Sequence, residues 1–429
     1  MISAKPLNKE ILKEICKRVN NMGDLRSLLS NYERKDYQID NFKEFLKHVK
    51  FVYSVPSIHI AGTNGKGTTA NYVASILKEA GNRVGLFTSP ELFSPLEMIQ
   101  INGENISEEE FINTIKSNEK LFEKYNLSVF EVETYVALTY FQKQKCNIAV
   151  IECGMGGELD ATNIFKCLMA IITNITLEHT SYLGKSYSEI AEAKAGIIKY
   201  RAPTIIGDLK DDALNTIVGI AKELESPIYQ AVKPSNVFLK DEGYNFSYLN
   251  YENLLINSKA LYSIDNACIA LEAISHLDSS FNVTYEAVKN GLANVNMICR
   301  LSKINVNPLI IIDGAHNPDG TNKLITSLEA ITKGQPIHTV FAAFNDKNIE
   351  RMLAEIGSIS KDIVLTTFDH PRARKEEDYF LFLEDYSFME DAVLAVKEII
   401  LKYPDDVILI TGSLAFAAYM YKNREQFLS

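Results

Sequence analysis

The sequence has few cysteines, no long apolar run and no excess of positive charge. Its six cysteines are scattered without a C-x-x-C pair, which argues against a zinc site and against a disulfide framework. No apolar run approaches the roughly 20 residues that a transmembrane helix requires. Residues 1–20 are charged and helical in pattern, and they lack the apolar core of a signal peptide. We therefore expect a cytoplasmic protein that does not bind membranes.

Positive charge is the scarcer sign in this chain. Lys and Arg together number 44 against 55 for Asp and Glu, so the formal net charge is −11 at pH 7. Proteins that follow a nucleic-acid backbone need the opposite balance, and no nucleic-acid partner is expected. Any anionic ligand must be held by local groups, because the protein as a whole would repel it.

The residues that are present favour an α/β protein with more than one domain. Hydrophobic residues make up 46% and charged residues 23% of 429 positions, which is ordinary for a globular protein too long for one core. Apolar strands alternate with helical patterns, as in proteins with a largely parallel sheet. Three predicted strands, 58–61, 148–152 and 170–174, end at glycine-rich or polar loops, where open α/β sheets bind ligands.

The remaining segments predict a second α/β unit. Residues 228–262 predict a small β excursion, and a helix at 263–275 follows it. Residues 294–308 are predicted to be a connection, after which strand 309–313 opens the second unit, which continues through strands 339–344, 363–367 and 407–411. We therefore predict two domains, residues 1–297 and residues 298–429.

Residues 58–69 predict a strand, a glycine-rich turn and the start of a helix. Glycines let backbone N–H groups close on phosphate oxygens, and the helix presents its positive end to them. Lys66 would supply a charge to the outer phosphates, and Thr68 a hydroxyl near a metal ion. The segment is not a standard Walker A motif, since Ile60 replaces its first glycine and Gly67 separates Lys66 from Thr68. An ordinary glycine-rich turn is the alternative. The predicted ATP-binding residues of this loop are Gly62, Thr63, Asn64, Gly65, Lys66, Gly67 and Thr68.

Glu152 ends the predicted buried strand 148–152, a costly place for a carboxylate without a cation. A magnesium ion that bridges ATP phosphates is a suitable partner, because Mg²⁺ prefers a few carboxylates together with phosphate and water oxygens. The alternative is a Glu paired with Lys or Arg.

Four segments resemble folylpolyglutamate and dihydrofolate synthases, which belong to the Mur ligase superfamily. They are G-T-N-G-K-G-T from Gly62, G-G-E-L-D-A-T-N from Gly156, T-N-I-T-L-E-H from Thr173 and D-G-A-H-N-P from Asp313. The resemblance spans about residues 55–420, and its last segment matches the family without change. It implies an N-terminal Mur-ligase-type ATP-binding α/β domain and a C-terminal Rossmann-like α/β domain.

The resemblance also implies a site for two magnesium ions. Its ligands would be Ser89, in the segment T-S-P-E-L, together with Glu152 and His179. Lys194, which precedes A-G-I-I-K, corresponds to a lysine that is carbamylated in the family. Addition of CO₂ turns that cation into an anion that helps to hold the metal cluster.

Further substrate contacts follow from the same resemblance. Asn266 would contact adenine, Arg300 the phosphates and Asp313 the nucleotide, while His316 is implicated in catalysis or glutamate binding. The predicted catalytic residues are Lys66, Lys194, His316 and Asp313. The predicted residues of the acceptor and amino-acid site are Phe130, Glu131, Leu159, Asp160, Ala161 and Ser413.

The implied reaction joins L-glutamate to a folate through an acyl phosphate. ATP would phosphorylate a carboxylate of tetrahydrofolate or dihydropteroate, and the glutamate amine would displace the phosphate. ATP, glutamate and folate are thus the expected partners of a monomeric enzyme. Two alternatives stay open: a family member that uses a non-folate carboxylate, and an inactive nucleotide-binding homologue.

The acceptor segments depart most from the family pattern. Residues 37–41 do not preserve its pterin segment, and Met98 replaces an arginine. Glu91 stands in place of the usual histidine and Glu158 in place of the usual arginine. Both carboxylates would repel a polyanionic folate tail, and this keeps the non-folate alternative open.

Overall fold

The computed structural model describes residues 39–428, so the helical pattern of residues 1–20 and the first part of segment 37–41 lie outside the described residues. Two compact units are present. Unit 1 contains the residues up to Phe238, with Asn245–Ile256 and Asp265–Val295. Unit 2 contains Leu239–Tyr244, Asn257–Ile264 and the residues from Asn296 onward.

Unit 1 is built on an eight-stranded sheet of order β4-β3-β2-β5-β1-β6-β7-β8. Six of its strands run parallel, while β3 and β4 are antiparallel additions at one edge. The central strands β1, β5 and β6 are buried along their whole length, as expected for apolar runs covered on both faces. The strands are β1 Ser57–Ala61, β2 Val84–Phe87, β3 Ile99–Ile101, β4 Glu104–Asn105, β5 Ile148–Glu152, β6 Met169–Ile172, β7 Thr204–Ile206 and β8 Ile228–Gln230.

Helices connect and cover these strands. Several begin at a serine whose side chain accepts a backbone N–H of the first turn, which would otherwise lack a hydrogen-bond partner within the helix. They are α1 Asp40–His48, α2 Lys66–Glu79, α3 Glu108–Lys124, α4 Val129–Lys143, α5 Thr180–Leu183, α6 Tyr187–Ala195, α7 Asp211–Glu223, α8 Tyr262–Ser275 and α9 Tyr285–Ala293, with 3₁₀ turns at Pro95–Met98 and Ser279–Phe281. The first turn of α8, up to Ile264, belongs to unit 2.

The predicted β excursion is a separate three-stranded sheet of order β11-β10-β9. Its strands are β9 Ser235–Leu239, β10 Tyr244–Tyr248 and β11 Tyr251–Ile256. Strand β8, which also falls in the predicted excursion, belongs to the sheet of unit 1 instead.

Unit 2 is built on a six-stranded sheet of order β12-β13-β17-β14-β15-β16, parallel except for β12. Its strands are β12 Ser302–Val306, β13 Leu309–Ile312, β14 Ile337–Phe341, β15 Ser360–Thr366, β16 Ser387–Met389 and β17 Val407–Thr411. Its helices are α10 Pro318–Thr332, α11 Ile349–Gly357, α12 Ala392–Lys402, α13 Leu414–Lys422 and α14 Arg424–Leu428, with a 3₁₀ segment at Glu376–Phe382.

The prediction of two α/β units with largely parallel sheets is confirmed. The prediction that residues 294–308 form only a connection is wrong, because they contain β12. That strand lies at the sheet edge, pairs only with β13 and has no buried residue, so it lacks the apolar signal of the central strands. Within residues 39–428, no helix is long and apolar enough to cross a membrane.

Candidate active site

Three loops that the sequence predicted to carry chemistry meet at one edge of the unit 1 sheet. In the register of β1 with its neighbours, Ile60 is opposite Glu152 of β5, and Ala61 is opposite Ile172 of β6. The loops that follow these three strands therefore leave the sheet side by side. This is the carboxyl edge, where α/β sheets bind ligands.

The glycine-rich loop after β1 leads directly into α2. Gly65 caps the helix with φ 82°, and no side chain caps the first turn. The N–H groups of that turn are thus available to an anion, and the positive end of the helix dipole favours one. A Cβ at Gly65 would lie 2.1 Å from the Asn266 Oδ1, so only glycine fits, and Asn266 packs against the loop.

The loop after β6 holds the glycine-rich loop of residues 62–65 in shape; the latter is called the phosphate loop below, after its predicted role. The Thr63 N–H donates to the Asn174 carbonyl at 3.0 Å, and the Asn64 N–H donates to the Asn174 Oδ1 at 2.7 Å. In return, the Thr173 hydroxyl donates to the Asn64 carbonyl at 2.7 Å. Such bonds fix the loop before ligand arrives, which lowers the cost of ordering it on binding.

Two lysines point their ammonium groups at this loop. The Lys66 Nζ donates to the Thr63 carbonyl at 3.2 Å, and the Lys194 Nζ to the Gly62 carbonyl at 2.8 Å. Lys194 is 3% exposed. Burial, together with the charge of Lys66, lowers its pKa to about 7. Much of Lys194 is therefore a neutral amine near pH 7.

The predicted metal ligands Ser89 and Glu152 lie together. Glu152 is 3% exposed, and one of its carboxylate oxygens accepts the Ser89 N–H at 3.0 Å. A Cβ at Gly67 would lie 3.1 Å from that oxygen, so the carboxylate lies against the start of α2, beside the glycine-rich loop. His179 is exposed at the start of α5, in the loop that follows β6.

These residues suit magnesium better than a metal held by protein ligands alone. Within residues 39–428, no group of three or more His, Cys, Asp and Glu side chains is placed to bind a metal. Mg²⁺ typically takes one or two carboxylates and completes its shell with phosphate and water oxygens. The buried Glu152 carboxylate beside the glycine-rich loop fits that requirement.

The predicted acceptor residues lie on α4 and on the loop after β5. The Phe130 ring lies next to Gly154, where a Cβ would be 2.7 Å from it, and next to the Phe87 ring at 5.8 Å. Ala161 is buried and Leu159 is half exposed. Glu131 forms a capping box with Ser128 at the start of α4, so the structure gives this carboxylate a role in capping the N-terminus of the helix.

Asp160 is buried and held by a hydrogen-bond network. It accepts the N–H groups of Met155 and Thr162 at 2.8 and 3.0 Å, and also the Thr162 hydroxyl. Burial raises the pKa of its carboxyl, and these bonds oppose the rise. Behind it, the His59 Nε2 lies 2.8 Å from the Thr162 Oγ1. Burial and the charge of Lys199 lower the pKa of His59 to about 3, so the ring is neutral.

Two buried titratable residues near the predicted site, His59 and Glu133, were not singled out by any sequence pattern. His59 lies inside β1, and a single polar residue in an apolar strand does not indicate a function. Glu133 lies one helical turn after Phe130 and is only 7% exposed. Burial raises the pKa of its carboxyl well above the ordinary value, and the charge of Glu91 raises it further. Only the departure at Glu91 hinted at an unusual charge arrangement here.

We expect Glu133→Gln to stabilise the protein at pH 8 and to have little effect at pH 4. A raised pKa means that the folded state holds the proton more tightly than the unfolded state, whose carboxyl has a pKa of about 4.3. The stability that the proton provides is complete below that value and is lost as pH rises toward the folded pKa. The measurement is the free energy of unfolding in urea at both pH values. The exposed Glu109→Gln is the control, and equal effects of the two changes at pH 8 would contradict the argument.

Unit 2 carries its own cluster at the carboxyl end of β13. Asp313 is buried, and its oxygens accept the Leu301 N–H at 2.7 Å, the Tyr262 hydroxyl at 2.6 Å and the Ala315 N–H at 2.8 Å. The His316 Nδ1 lies 3.0 Å from the Gly314 carbonyl. Asp313 and His316 are therefore brought together at one strand end, with Asp313 fixed in orientation.

Arg300 sits on a strained stretch of backbone next to this cluster. The residues on either side, Cys299 and Leu301, both have positive φ angles, 60° and 51°. Bulky residues rarely adopt this conformation, and such strain often marks functional sites. The Gly314 N–H donates to the Cys299 carbonyl at 2.8 Å, and a Cβ at Gly314 would lie 3.3 Å from the Arg300 Nη1. The guanidinium is thereby held beside the Asp313 loop.

Ser413 follows β17, which pairs with β13 in the sheet. Its hydroxyl accepts the Phe416 N–H at 3.0 Å and caps α13. The side chain is buried. The structure thus gives Ser413 a helix-capping role at the same sheet edge as Asp313.

Two domain families of Mur ligases match this chain, one in its N-terminal part and one in its C-terminal part. The Mur ligase middle domain family matches residues 60–274, and the Mur ligase glutamate ligase domain family matches residues 299–414. A dihydrofolate synthase/folylpolyglutamate synthase of Bacillus subtilis is 32% identical over 388 residues, which cover 86% of this chain and 90% of that protein.

Solved structures of similar proteins include complexes with nucleotides. A folylpolyglutamate synthase of Mycobacterium tuberculosis, complexed with ADP and AMPPCP, matches with a TM-score of 0.84 and 26% identity, over 95% of this chain and 99% of that one. An FPGS–AMPPCP–folate complex matches with a TM-score of 0.82 and 27% identity, over 96% of this chain and 99% of that one.

Proposed function

The chain belongs to the dihydrofolate synthase/folylpolyglutamate synthase family of Mur ligases, and we propose that it joins glutamate to a folate at the carboxyl edge of the unit 1 sheet. It is an ATP-dependent ligase. One observation supports this location above the others. The phosphate loop, the buried Glu152 and the buried Lys194 converge beside the uncapped start of α2.

The proposed reaction has two displacements. A carboxylate oxygen of the folate attacks the γ-phosphorus of ATP, and ADP leaves. The glutamate amine then attacks the acyl carbon, the phosphate leaves, and the amine loses a proton as the amide forms. The uncapped turn of α2 and the Lys66 ammonium would bind the phosphate oxygens and stabilise the charge that develops on them.

Magnesium would be held mainly by Glu152, with Ser89 and His179 as further ligands. The ion would supply positive charge to the phosphate oxygens of ATP. The fit rests on the buried Glu152 carboxylate beside the phosphate loop and on the neighbouring Ser89.

Lys194 is proposed to be carbamylated. A neutral lysine amine adds to CO₂, forms an N–C bond and releases one proton, which leaves an anionic carbamate. The lowered pKa of Lys194 supports this proposal because only the neutral amine reacts. A carbamate at this position would also give Lys66 an anionic neighbour in place of a cation.

The remaining contacts are proposed by domain. Asn266 would bind adenine, and Phe130, Leu159, Asp160 and Ala161 would line the acceptor site, with Glu131 shaping the start of α4. In unit 2, Asp313 and Arg300 would contact the nucleotide, while His316 and Ser413 would serve glutamate. The two domains, residues 1–297 and 298–429, stay a prediction. The monomeric state and the cytoplasmic location are also predictions.

Phosphate release with different acceptors tests the proposal. We expect glutamate-dependent release with tetrahydrofolate or dihydropteroate, and none with unrelated carboxylates. Release with an unrelated carboxylate but with neither folate would overturn the acceptor assignment and favour a different substrate of the same enzyme class.

We expect Glu158→Arg to lower KM for folates, most for those with several glutamates. Glu158 is exposed, and its N–H donates to the Ala193 carbonyl next to Lys194 at 2.8 Å, so it lies near the site. Its carboxylate repels a polyanionic tail, whereas arginine would attract it, and the gain should shrink as salt is raised. KM is measured at low and high salt, with Glu109→Arg as a control for net charge. Efficient wild-type turnover that Glu158→Arg leaves unchanged would show that this carboxylate does not influence the acceptor.

A further inference from the structure

Unit 1 contains a hollow of about 480 Å³ that the proposed reaction does not use. We call it the basic hollow, after the four lysines on its wall, Lys43, Lys47, Lys166 and Lys199. They come from α1, from the segment before β6 and from the segment after α6. None of the ten lining residues is acidic, although the chain as a whole has a net charge of −11. Four cations without an acidic neighbour in the lining make a local site for an anion.

Lys43 and Lys199 are close enough for the charge of one to affect the other. Burial lowers the pKa of Lys199, and the charge of Lys43 lowers it further. Like charges gathered in this way repel, and a bound polyanion would remove the repulsion. The Lys199 Nζ is fixed in place by two bonds, to the Asn163 Oδ1 at 2.6 Å and to the Gly196 carbonyl at 3.0 Å.

Aromatic rings form another part of the wall. Phe51, Tyr53 and Phe165 line the hollow, with ring centroids 6.4 Å apart for Phe51 and Tyr53 and 5.4 Å apart for Tyr53 and Phe165. Such rings offer faces and edges on which a flat ring can pack. The volume lies within the usual range for small-molecule sites, about 300–1,000 Å³.

We infer that the basic hollow binds a polyanion that carries a flat ring, at a site separate from the phosphate loop. The lysine ammonium groups would bind the carboxylates or phosphates of this ligand, and its ring would pack against Phe51, Tyr53 and Phe165. Two molecules handled by this enzyme have that chemistry: a folate with several glutamates, and a nucleotide. The folate product gains one carboxylate at each turnover, so its affinity for the hollow would rise with tail length.

Lys199 connects the basic hollow to the proposed active site. Asn163, which accepts from Lys199, ends the segment that carries Asp160, and its amide donates to the Glu158 carbonyl at 3.0 Å. Gly196, which also accepts from Lys199, lies two residues after Lys194. A polyanion that binds the Lys199 ammonium would weaken its hydrogen bonds to Asn163 and Gly196, and the segments that carry these two residues would shift. Occupancy of the hollow should therefore change the affinity for the acceptor, and acceptor binding should change the affinity of the hollow for its ligand by the same factor.

Binding stoichiometry tests the inference on the full chain. Equilibrium dialysis with folate pentaglutamate, with ATP and with inorganic phosphate should show a second ring-polyanion site per chain in addition to the active site. Lys43→Glu/Lys47→Glu should weaken the second site about tenfold or more, because two attractive charges become repulsive. The matched control is Lys116→Glu/Lys120→Glu, an exposed pair with the same spacing on α3.

Each probe has a defined meaning. A second site for the pentaglutamate alone assigns the hollow to the folate, and one for ATP alone assigns it to a nucleotide. Equal stoichiometry and affinity in the wild type and in Lys43→Glu/Lys47→Glu would overturn the inference. So would equal saturation by phosphate and by the ring-bearing probes. Turnover of monoglutamyl tetrahydrofolate is measured in parallel, so that loss of the second site is distinguished from loss of ligase activity.

Discussion

Lys66→Ala is expected to lower kcat about 10²–10³-fold, the usual cost of removing one preorganised group that stabilises developing charge. Lys66 opens α2, where its ammonium reaches back over the phosphate loop to the Thr63 carbonyl. It is not part of the buried core, so the variant should fold normally. Phosphate release gives kcat, and thermal unfolding checks the fold. The control is Lys78→Ala, in the last turn of the same helix.

Glu152→Gln distinguishes the proposed role of Glu152 in Mg²⁺ binding from the proposed role of Lys66 in phosphate binding. Glutamine keeps the shape of the side chain and can still accept the Ser89 N–H, but it loses the negative charge that suits Mg²⁺. We expect a similar fall in kcat and a higher Mg²⁺ concentration for half-maximal activity. Lys66→Ala should not shift the Mg²⁺ requirement in this way. Near-normal turnover in either variant would show that nucleotide binding lies elsewhere.

The candidate site of unit 1 could be predicted from the sequence because the signals for it are local. A buried apolar strand followed by glycines and Lys66 predicts a strand, a loop and a helix without reference to the rest of the chain. The same holds for Glu152 at the end of β5. Parallel pairing then brings these strand ends together, and the register of β1 with β5 confirms that expectation for Ile60 and Glu152.

Features that depend on distant neighbours could not be predicted in this way. The unusual pKa of Glu133 arises from burial under other elements and from Glu91 on a different loop. Strand β12 is defined by its pairing with β13 and has no buried residue, so its pattern is weak. A sequence motif likewise identifies a residue without predicting the hydrogen bonds that the residue makes. Glu131 and Ser413 were predicted to bind substrate, and the structure gives both a helix-capping role.

Lys194 shows how burial can prepare a side chain for chemistry. An exposed lysine is almost fully charged at pH 7, so only its very small neutral fraction can add to CO₂. Burial and the charge of Lys66 lower the pKa of Lys194 to about 7, so roughly half of it is neutral there. The same burial makes a cationic Lys194 beside Lys66 unfavourable, and a carbamate would remove that repulsion. The two physical arguments therefore favour the same modified state.

Lys194→Ala is expected to lower kcat about 10²-fold or more and to recover part of the activity with acetate or formate. The truncation leaves space in a buried site, and a small carboxylate can enter it and restore the negative charge. Lys194→Arg should be equally inactive and should not be rescued, because the guanidinium stays charged and fills the space. Wild-type enzyme depleted of CO₂ should lose activity and regain it with bicarbonate. Less bicarbonate should be needed above pH 7 than below, since the neutral amine fraction rises through a pKa of about 7. Full activity of Lys194→Ala without added carboxylate would refute the carbamate, whereas inactivity with no rescue and no bicarbonate dependence would leave Lys194 only its bond to the Gly62 carbonyl.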